Sequence, residues 1–320
     1  MWFKNLVVYR LPADWSWSAA DLEDQLWGRK LRECSSLEMF NRGWMSPAGA
    51  GIDDQRLVRT VNRQHLIALG VNQKLLPASI VKQETQERAK AQEQEQGYPV
   101  GRRQMREIKE RVTTELRARA LTRRKVMHAW IDPVNGWFVV NSASVPRAEE
   151  LVETLRDTIG SFAVQPIETE RSPQQAMAAW LMLDDAPLRF VIDQELELQS
   201  TDQSKSTVRY VRHPLEAKEI KAHLNTGKYP TRLGLTWNDR IAFVLTDKLH
   251  VKRVQFQETR EESEISADAT AGAGGNAENA AAVLSEQFDA DFALMAGELA
   301  LLLKDLQEAL GGEVVQRAAA

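Results

Sequence analysis

Across 320 residues the chain has one cysteine, five histidines and four tyrosines. Cys34 alone excludes a disulfide framework and a cysteine-based metal site. His65, His128, His213, His223 and His250 show no metal-ligand spacing. No apolar run reaches the roughly 18 residues that span a bilayer. The opening stretch MWFKNLVVYRL lacks the cationic segment, long apolar core and small-residue cleavage site of a signal peptide. The expectation is a soluble protein of a reducing cytoplasm. Catalytic patterns are also missing. Asn225-Thr226-Gly227-Lys228-Tyr229 mimics the end of a phosphate-binding loop but has neither the upstream glycine nor the following Ser/Thr. Asp289 and Asp291 are two apart on a helix, roughly 200° around its axis, and cannot chelate one ion. Ser142 and Ser144 lie in no nucleophile elbow. No enzyme, cofactor or metal is expected.

What the chain does have is core material, with 43% hydrophobic residues and nine tryptophans, and an uneven charge distribution behind a net −4. Residues 102–125 (RRQMREIKERVTTELRARALTRRK) hold ten Lys/Arg against three Glu. Residues 205–232 hold seven Lys/Arg and two His against two Glu, whereas 258–298 hold ten Asp/Glu and only Arg260. A ligand responds to such local fields rather than to the chain average.

Patterning predicts a strand over 2–10 with Phe3, Val7 and Tyr9 on one side, followed by a tryptophan-rich helical region (Trp15, Trp17, Trp27). A strand at 64–70 comes next, then polar helices at 79–95 and 102–124 broken by Gly97-Tyr98-Pro99. The hairpin MHAWID–PVNG–WFVVNSA turns at Asn135-Gly136. Helices follow at 144–159, 173–182 and 214–226, with strands at FAVQPI, 189–198 and 206–212. Residues 1–258 form an α+β body with mostly antiparallel sheet, including a helical arm at 79–125. An acidic Ala/Gly-rich linker covers 259–284, too poor in apolar surface to offset its ordering entropy. An amphipathic helix at 285–312 carries the stripe Phe288, Phe292, Met295, Leu299, Leu302, Leu306, Leu310, to pack on the body or in the dimer.

RLGLTWNDRIAFVLTDKLHV, 232–251, reads as strands joined by turns. A two-residue loop would put the apolar sets of adjacent strands on opposite faces. A three-residue loop, Asn238–Arg240, pairs Trp237 with Ile241 and unites Leu233, Leu235, Trp237, Ile241, Phe243 and Leu245. The same parity makes Thr246–Lys248 the next loop and adds Leu249 and Val251. The opposite face receives Arg232, Gly234, Thr236, Ala242, Val244, His250 and Lys252, with no carboxylate. A bulge at Lys252-Arg253 adds Arg253 and returns Val254 and Phe256 to the core. An ordinary solvated sheet face accounts for this pattern, and so does a surface shaped for a polyanion. On the 102–124 helix, Arg102, Arg106, Lys109, Arg117 and Arg124 flank a core stripe of Met105, Ile108, Val112 and Leu116. Arg117, Arg119, Arg123, Arg124 and Lys125 crowd its end beyond what a helix dipole needs. Together the two basic regions favour nucleic acid.

The sequence resembles the RdgC family of recombination-associated proteins over essentially its whole length. The resemblance rests on WFKNLVVYRL, LPASIVKQ at 76–83, WIDPVNG at 130–136, TGKYPTRLGLTW, and FDADFALMAGELA followed by ALGGE. It implies a bacterial, nucleoid-associated DNA-binding protein without enzymatic activity. Horseshoe-shaped protomers would pair at both ends into a ring homodimer around duplex DNA, restraining the RecA recombinase with little sequence preference. Phosphate contacts would come from Arg117, Arg119, Arg123, Arg124, Arg209, Arg212, His213, Lys228, Arg232, His250 and Lys252, with hydroxyls from Thr231 and Thr236. Leu121 at the arm's tip would meet the second protomer. A recombination accessory factor acting through direct protein contact is the alternative, and a nuclease with a diffuse carboxylate site a third.

Overall fold

The computed structural model describes residues 2–48, 52, 54–215, 217–257 and 277–314. Its strands are β1 (Asn5–Arg10), β2 (Phe40–Met45), β3 (Val58–Val61), β4 (Gln64–Lys74), β5 (Thr122–Asp132), β6 (Trp137–Asn141), β7 (Gln165–Pro166), β8 (Phe190–Ser200), β9 (Thr207–Val211), β10 (Lys228–Trp237), β11 (Ile241–Thr246) and β12 (Val251–Phe256). The helices are α1 (Ala19–Trp27), α2 (Ala78–Gln96), α3 (Arg102–Arg119), α4 (Val145–Ile159), α5 (Pro173–Leu183), α6 (Ala217–Asn225) and α7 (Ala277–Ala309). The class is α+β. One antiparallel sheet runs β2-β4-β5-β6-β1-β12-β11-β10-β8-β9, with β3 also on β4 and β7 also on β1.

Strand alternation divides the apolar residues between two faces. The first face carries Leu66, Trp130, Val139, Leu6, Val251, Leu245, Leu235 and Leu196, and α5, α6 and α7 cover it. The α7 stripe from Phe288 to Leu310 is buried there, each residue no more than 8% exposed. The second face carries Ile67, Ile131, Phe138, Val140, Val7 and Tyr9 beneath α1 and α4. Phe3 is a correction to the expected strand face. It lies before β1 begins and joins the first core rather than Val7 and Tyr9. No helix among the described residues packs on the second face of β12, β11, β10, β8 and β9. That bare half is where the site question arises.

Local chemistry accounts for the punctuation. The Asp132 carboxylate accepts from Val134 N at 2.9 Å and Asn135 N at 3.1 Å, folding the β5–β6 turn before Gly136 at φ +72°. Gly160 ends α4 at φ +80°, as the spacing predicts. Trp15 and Trp17 precede α1 rather than belonging to it, and pack on the second core. The C-terminal helix starts at Ala277, earlier than expected; most of the anticipated acidic linker, its residues 259–276, lies outside the described residues. An unforeseen contact involves β2. A Cβ on Gly43 would stand 2.6 Å from Leu31 Cα, because the 29–31 backbone runs alongside the strand, Leu31 N donating to Trp44 O at 2.7 Å and Trp44 N to Arg29 O at 2.9 Å.

The arm is a hairpin of α2 and α3 with a small core of Val81, Ala89, Ile108 and Val112, flanked by Met105 and Leu116 as expected. Its second helix is shorter than predicted. It ends at Arg119, Ala120 turns extended at ψ 137°, and β5 pairs with β4 from Thr122↔Lys74 to Ile131↔His65. Ladder pairing overrides the helix propensity of RARALTRRK.

Burial also produces an acid-sensitive group. His128 on β5 is held down at about 4 chiefly by its dry surroundings, against 6.5 ordinarily. The unfolded chain therefore binds the proton first as pH falls, and stability declines with it. Between about pH 7 and about pH 5 this group should remove about 2 kcal/mol. Urea unfolding at both pH values measures the loss, and His128→Gln should flatten that part of the dependence. An unchanged slope in the variant would assign the loss elsewhere.

Candidate nucleic-acid interface

The bare half-face forms as the register argument requires, with differences that matter. Trp237 pairs with Ile241 across the three-residue turn Asn238–Arg240, whose first two residues take φ +51° and +53°. The next turn is longer than expected. Leu245 pairs with Val251 rather than Leu249, so Thr246–His250 form it, closed by Thr246 N to His250 O at 3.0 Å. A two-residue change preserves parity, so Val251 still enters the core. Arg253, at φ +54°, is the bulge, and Val254 returns to the core at 5% exposure.

The expected absence of carboxylates is overturned. β8 runs beside β10 and adds Asp193, Glu195 and Glu197 to the same face. Arg232 pairs with Glu197 in register, while Leu233↔Leu196 and Leu235↔Ile192 leave Asp193–Glu195 opposite Gly234. Gly234 accommodates that bulge; a Cβ there would meet Glu195 Cβ at 3.1 Å and Asp193 Cβ at 3.2 Å. The Glu195 carboxylate takes Arg253 Nη2 and lies 3.7 Å from Arg209 Nη2. Glu197 lies 3.9 Å from Arg209 Nε and 3.7 Å from Arg232 Nε. The Thr236 hydroxyl donates to Asp193 at 2.8 Å and that of Thr231 to Glu197 at 2.9 Å. Both hydroxyl protons are thus already engaged. A cleft of about 460 Å³ lies along this comb, lined by Asp193, Glu195, Gly234, Ala242, Val244, Arg212 and Arg253.

The remaining expected residues divide. Lys252 pairs with Val244 and Asn5 in register and stays on the bare face. Arg212 is exposed at φ +51° just beyond β9. Lys228 is on the other face, its Nζ 3.2 Å from His223 Nδ1 of α6. His213 is exposed beside the first-core residue Tyr210, its Nδ1 2.9 Å from Pro214 O. His250 is half-buried in its turn, where burial first and Lys252 and Lys248 next lower its pKa.

Because β5 is a strand, alternation separates the arm's arginines. Arg123 and Lys125 share the second face with Met127 and Ile131. Arg124 points to the first, with its Nε donating to Asn72 Oδ1 at 3.0 Å. Arg117 is half-buried, its Nη1 donating to Leu37 O at 3.2 Å. Arg119 is exposed at the end of α3. Leu121 is 79% exposed but is a correction to the expected arm tip: it stands at the base of the α2–α3 hairpin, its O accepting from Leu75 N at 2.8 Å, while the tip is the 97–101 turn. Arg42 of β2 and Arg147 of α4 were not foreseen. With Lys125 and Phe40 they line a second-face cleft of about 480 Å³ in which Glu150 is the sole carboxylate among the described residues. No strand was anticipated at 40–45, so Arg42 had no face to belong to. The β8 carboxylates did carry a signal, since FVIDQELELQS alternates acids with Leu196 and Leu198.

Two further observations bear on chemistry. Among the described residues no group of three or more His, Cys, Asp or Glu is placed to hold a metal ion. Asp289 instead meets the buried Arg59, and no helix among those residues is long and apolar enough to cross a membrane. Cys34 is only partly buried, its thiol donating to Asn72 O at 3.3 Å.

Residues 1–313 match the sequence model of a family described as "Putative exonuclease, RdgC". The chain is 47% identical over 319 residues to the recombination-associated protein RdgC of Dechloromonas aromatica, covering 99% of each. It is 46% identical to that of Cupriavidus pinatubonensis over 98% of this chain and 99% of the other. With that of Janthinobacterium sp. the identity is 43%, over 99% and 100% respectively.

Proposed function

The chain belongs to the RdgC family, whose curated relatives are named for recombination, and on that premise we propose a DNA-binding protein without enzymatic activity. It acts as a homodimer that encircles or coats duplex DNA without regard to sequence and so limits RecA access, in the nucleoid of the cytoplasm. Single-stranded DNA would bind through the same phosphate contacts. The observation that carries the reading is the continuity of one sheet face. Arg123 and Lys125 at one end, Lys252 in the middle, and Arg232 and Arg209 towards the other all point to the same side of strands ordered β4-β5-β6-β1-β12-β11-β10-β8-β9. Arg42, Arg147 and Arg212 add to it. Arginine and lysine on phosphates fix position but carry no sequence information. The exposed Leu121 is one candidate for the contact that closes the dimer.

The β8 carboxylates favour a second reading, direct contact with another recombination protein, because they offset part of the basic charge. Sedimentation of the purified protein with and without a short random-sequence duplex separates the two. The expected result is a dimer that sediments with the duplex while leaving it intact in Mg²⁺. Protein that ignores the duplex moves the proposal to the second reading, and shortened strands would make it a nuclease.

A further inference from the structure

We infer that Glu195 and Glu197 are built-in competitors of the DNA backbone, holding Arg209, Arg232 and Arg253 back from phosphate and setting the affinity of the face. This rests on the DNA-binding reading proposed above. The geometry places the acids below and the bases above. The Glu195 and Glu197 side chains are 18% and 20% exposed, whereas the three arginines that reach over them are 39–49% exposed. Between them the two carboxylates contact all three guanidinium groups. Thr231 additionally holds Glu197 through its hydroxyl at 2.9 Å. The β8 bulge opposite Gly234 gives Glu195 its place, so the arrangement is built into the register rather than left to flexible surface side chains.

The consequence follows from counterion release. A cation that neutralises a phosphate frees the ion condensed there, and each such event steepens the dependence of log K on log salt by about 0.9. A guanidinium already matched by a glutamate brings no net charge to the duplex. It either exchanges its carboxylate for phosphate, leaving that carboxylate facing the DNA, or contributes nothing. The opposite possibility is that the glutamates merely hold the arginines ready. Ion pairs this exposed contribute little to ordering, while one more phosphate neutralised changes affinity about eightfold at about 100 mM salt.

The test is a salt titration of binding to a short random-sequence duplex by wild type, Glu195→Gln, Glu197→Gln, the double variant and Glu308→Gln. The last removes the same charge from an exposed position on α7, behind the first face. Each glutamine is close in shape to glutamate, and thermal midpoints verify folding; E195Q alone carries the test if E197Q fails to fold. The expected result is affinity about 10²-fold higher for the double variant at about 100 mM salt, with a slope steeper by about 2, and no change in E308Q. Equal or weaker binding at unchanged slope overturns the inference, as does an equal gain in E308Q. Wild type that binds no duplex removes the proposed function as well, which distinguishes that failure from this one.

Discussion

Raising salt from about 50 to about 200 mM should weaken duplex binding by about 10³-fold per protomer engaged. The figure comes from counting cations by the company they keep. Arg209, Arg232 and Arg253 share the two carboxylates of Glu195 and Glu197, and the one positive charge they leave over is not counted. Arg42, Arg123, Lys125, Arg147, Arg212 and Lys252 lie on or beside the second face with no carboxylate within ion-pair distance among the described residues. Arg42 instead donates to the Thr154 hydroxyl at 3.2 Å and Lys125 to Gln73 at 3.2 Å. Six phosphates at about 0.9 each give a slope near −5, and a fourfold rise in salt then amounts to about three decades. Fluorescence anisotropy with a labelled random duplex measures it. A flat response would mean that phosphates are not what this face contacts.

Arg59→Met should destabilise the fold by about 3 kcal/mol, at the lower end of what stranding a buried ion's partners costs. The Arg59 side chain is 3% exposed and is the clasp between β3 and α7. Its Nε and Nη2 meet the Asp289 carboxylate at 2.5 and 2.8 Å, Nη2 also reaches Ser285 Oγ at 2.6 Å, and Nη1 bonds Asp54. Two features temper the loss. Asp289 is 38% exposed and can turn to water, and Asp54 keeps Arg56 at 2.9 Å. Guanidinium unfolding measures the change. Arg59→Met with Asp289→Leu should cost less than the two single changes summed, because the second substitution removes the stranded charge. Strict additivity would show that the pair does not couple α7 to the body.

Much of this architecture was legible locally. The α7 stripe, the Gly160 stop, the Asn135-Gly136 turn and the pairing of Trp237 with Ile241 each depend on residues close in sequence, where a period or a turn type admits few solutions. The parity argument survived even a misjudged loop, since Thr246–His250 exceeds the expected turn by an even number and every side chain keeps its face. Residues 120–125 were not legible, because arginine and alanine favour helix and only the β4 ladder pulls them straight. That change separated Arg124 from Arg123 and Lys125, which a helix would have grouped differently.

The sequence by itself determined which residues are cationic, which stripes are apolar and how neighbouring strands register, because those follow from side-chain type and short-range stereochemistry. Tertiary structure decided what the cations face. β8 reaches β10 across β9, α6 and the intervening turns, and the register between such distant strands is set by packing of the shared core, not by any local signal. Only that packing brought Glu195 and Glu197 beneath Arg209, Arg232 and Arg253, turning a face that reads as purely basic into one whose charge is partly held in check.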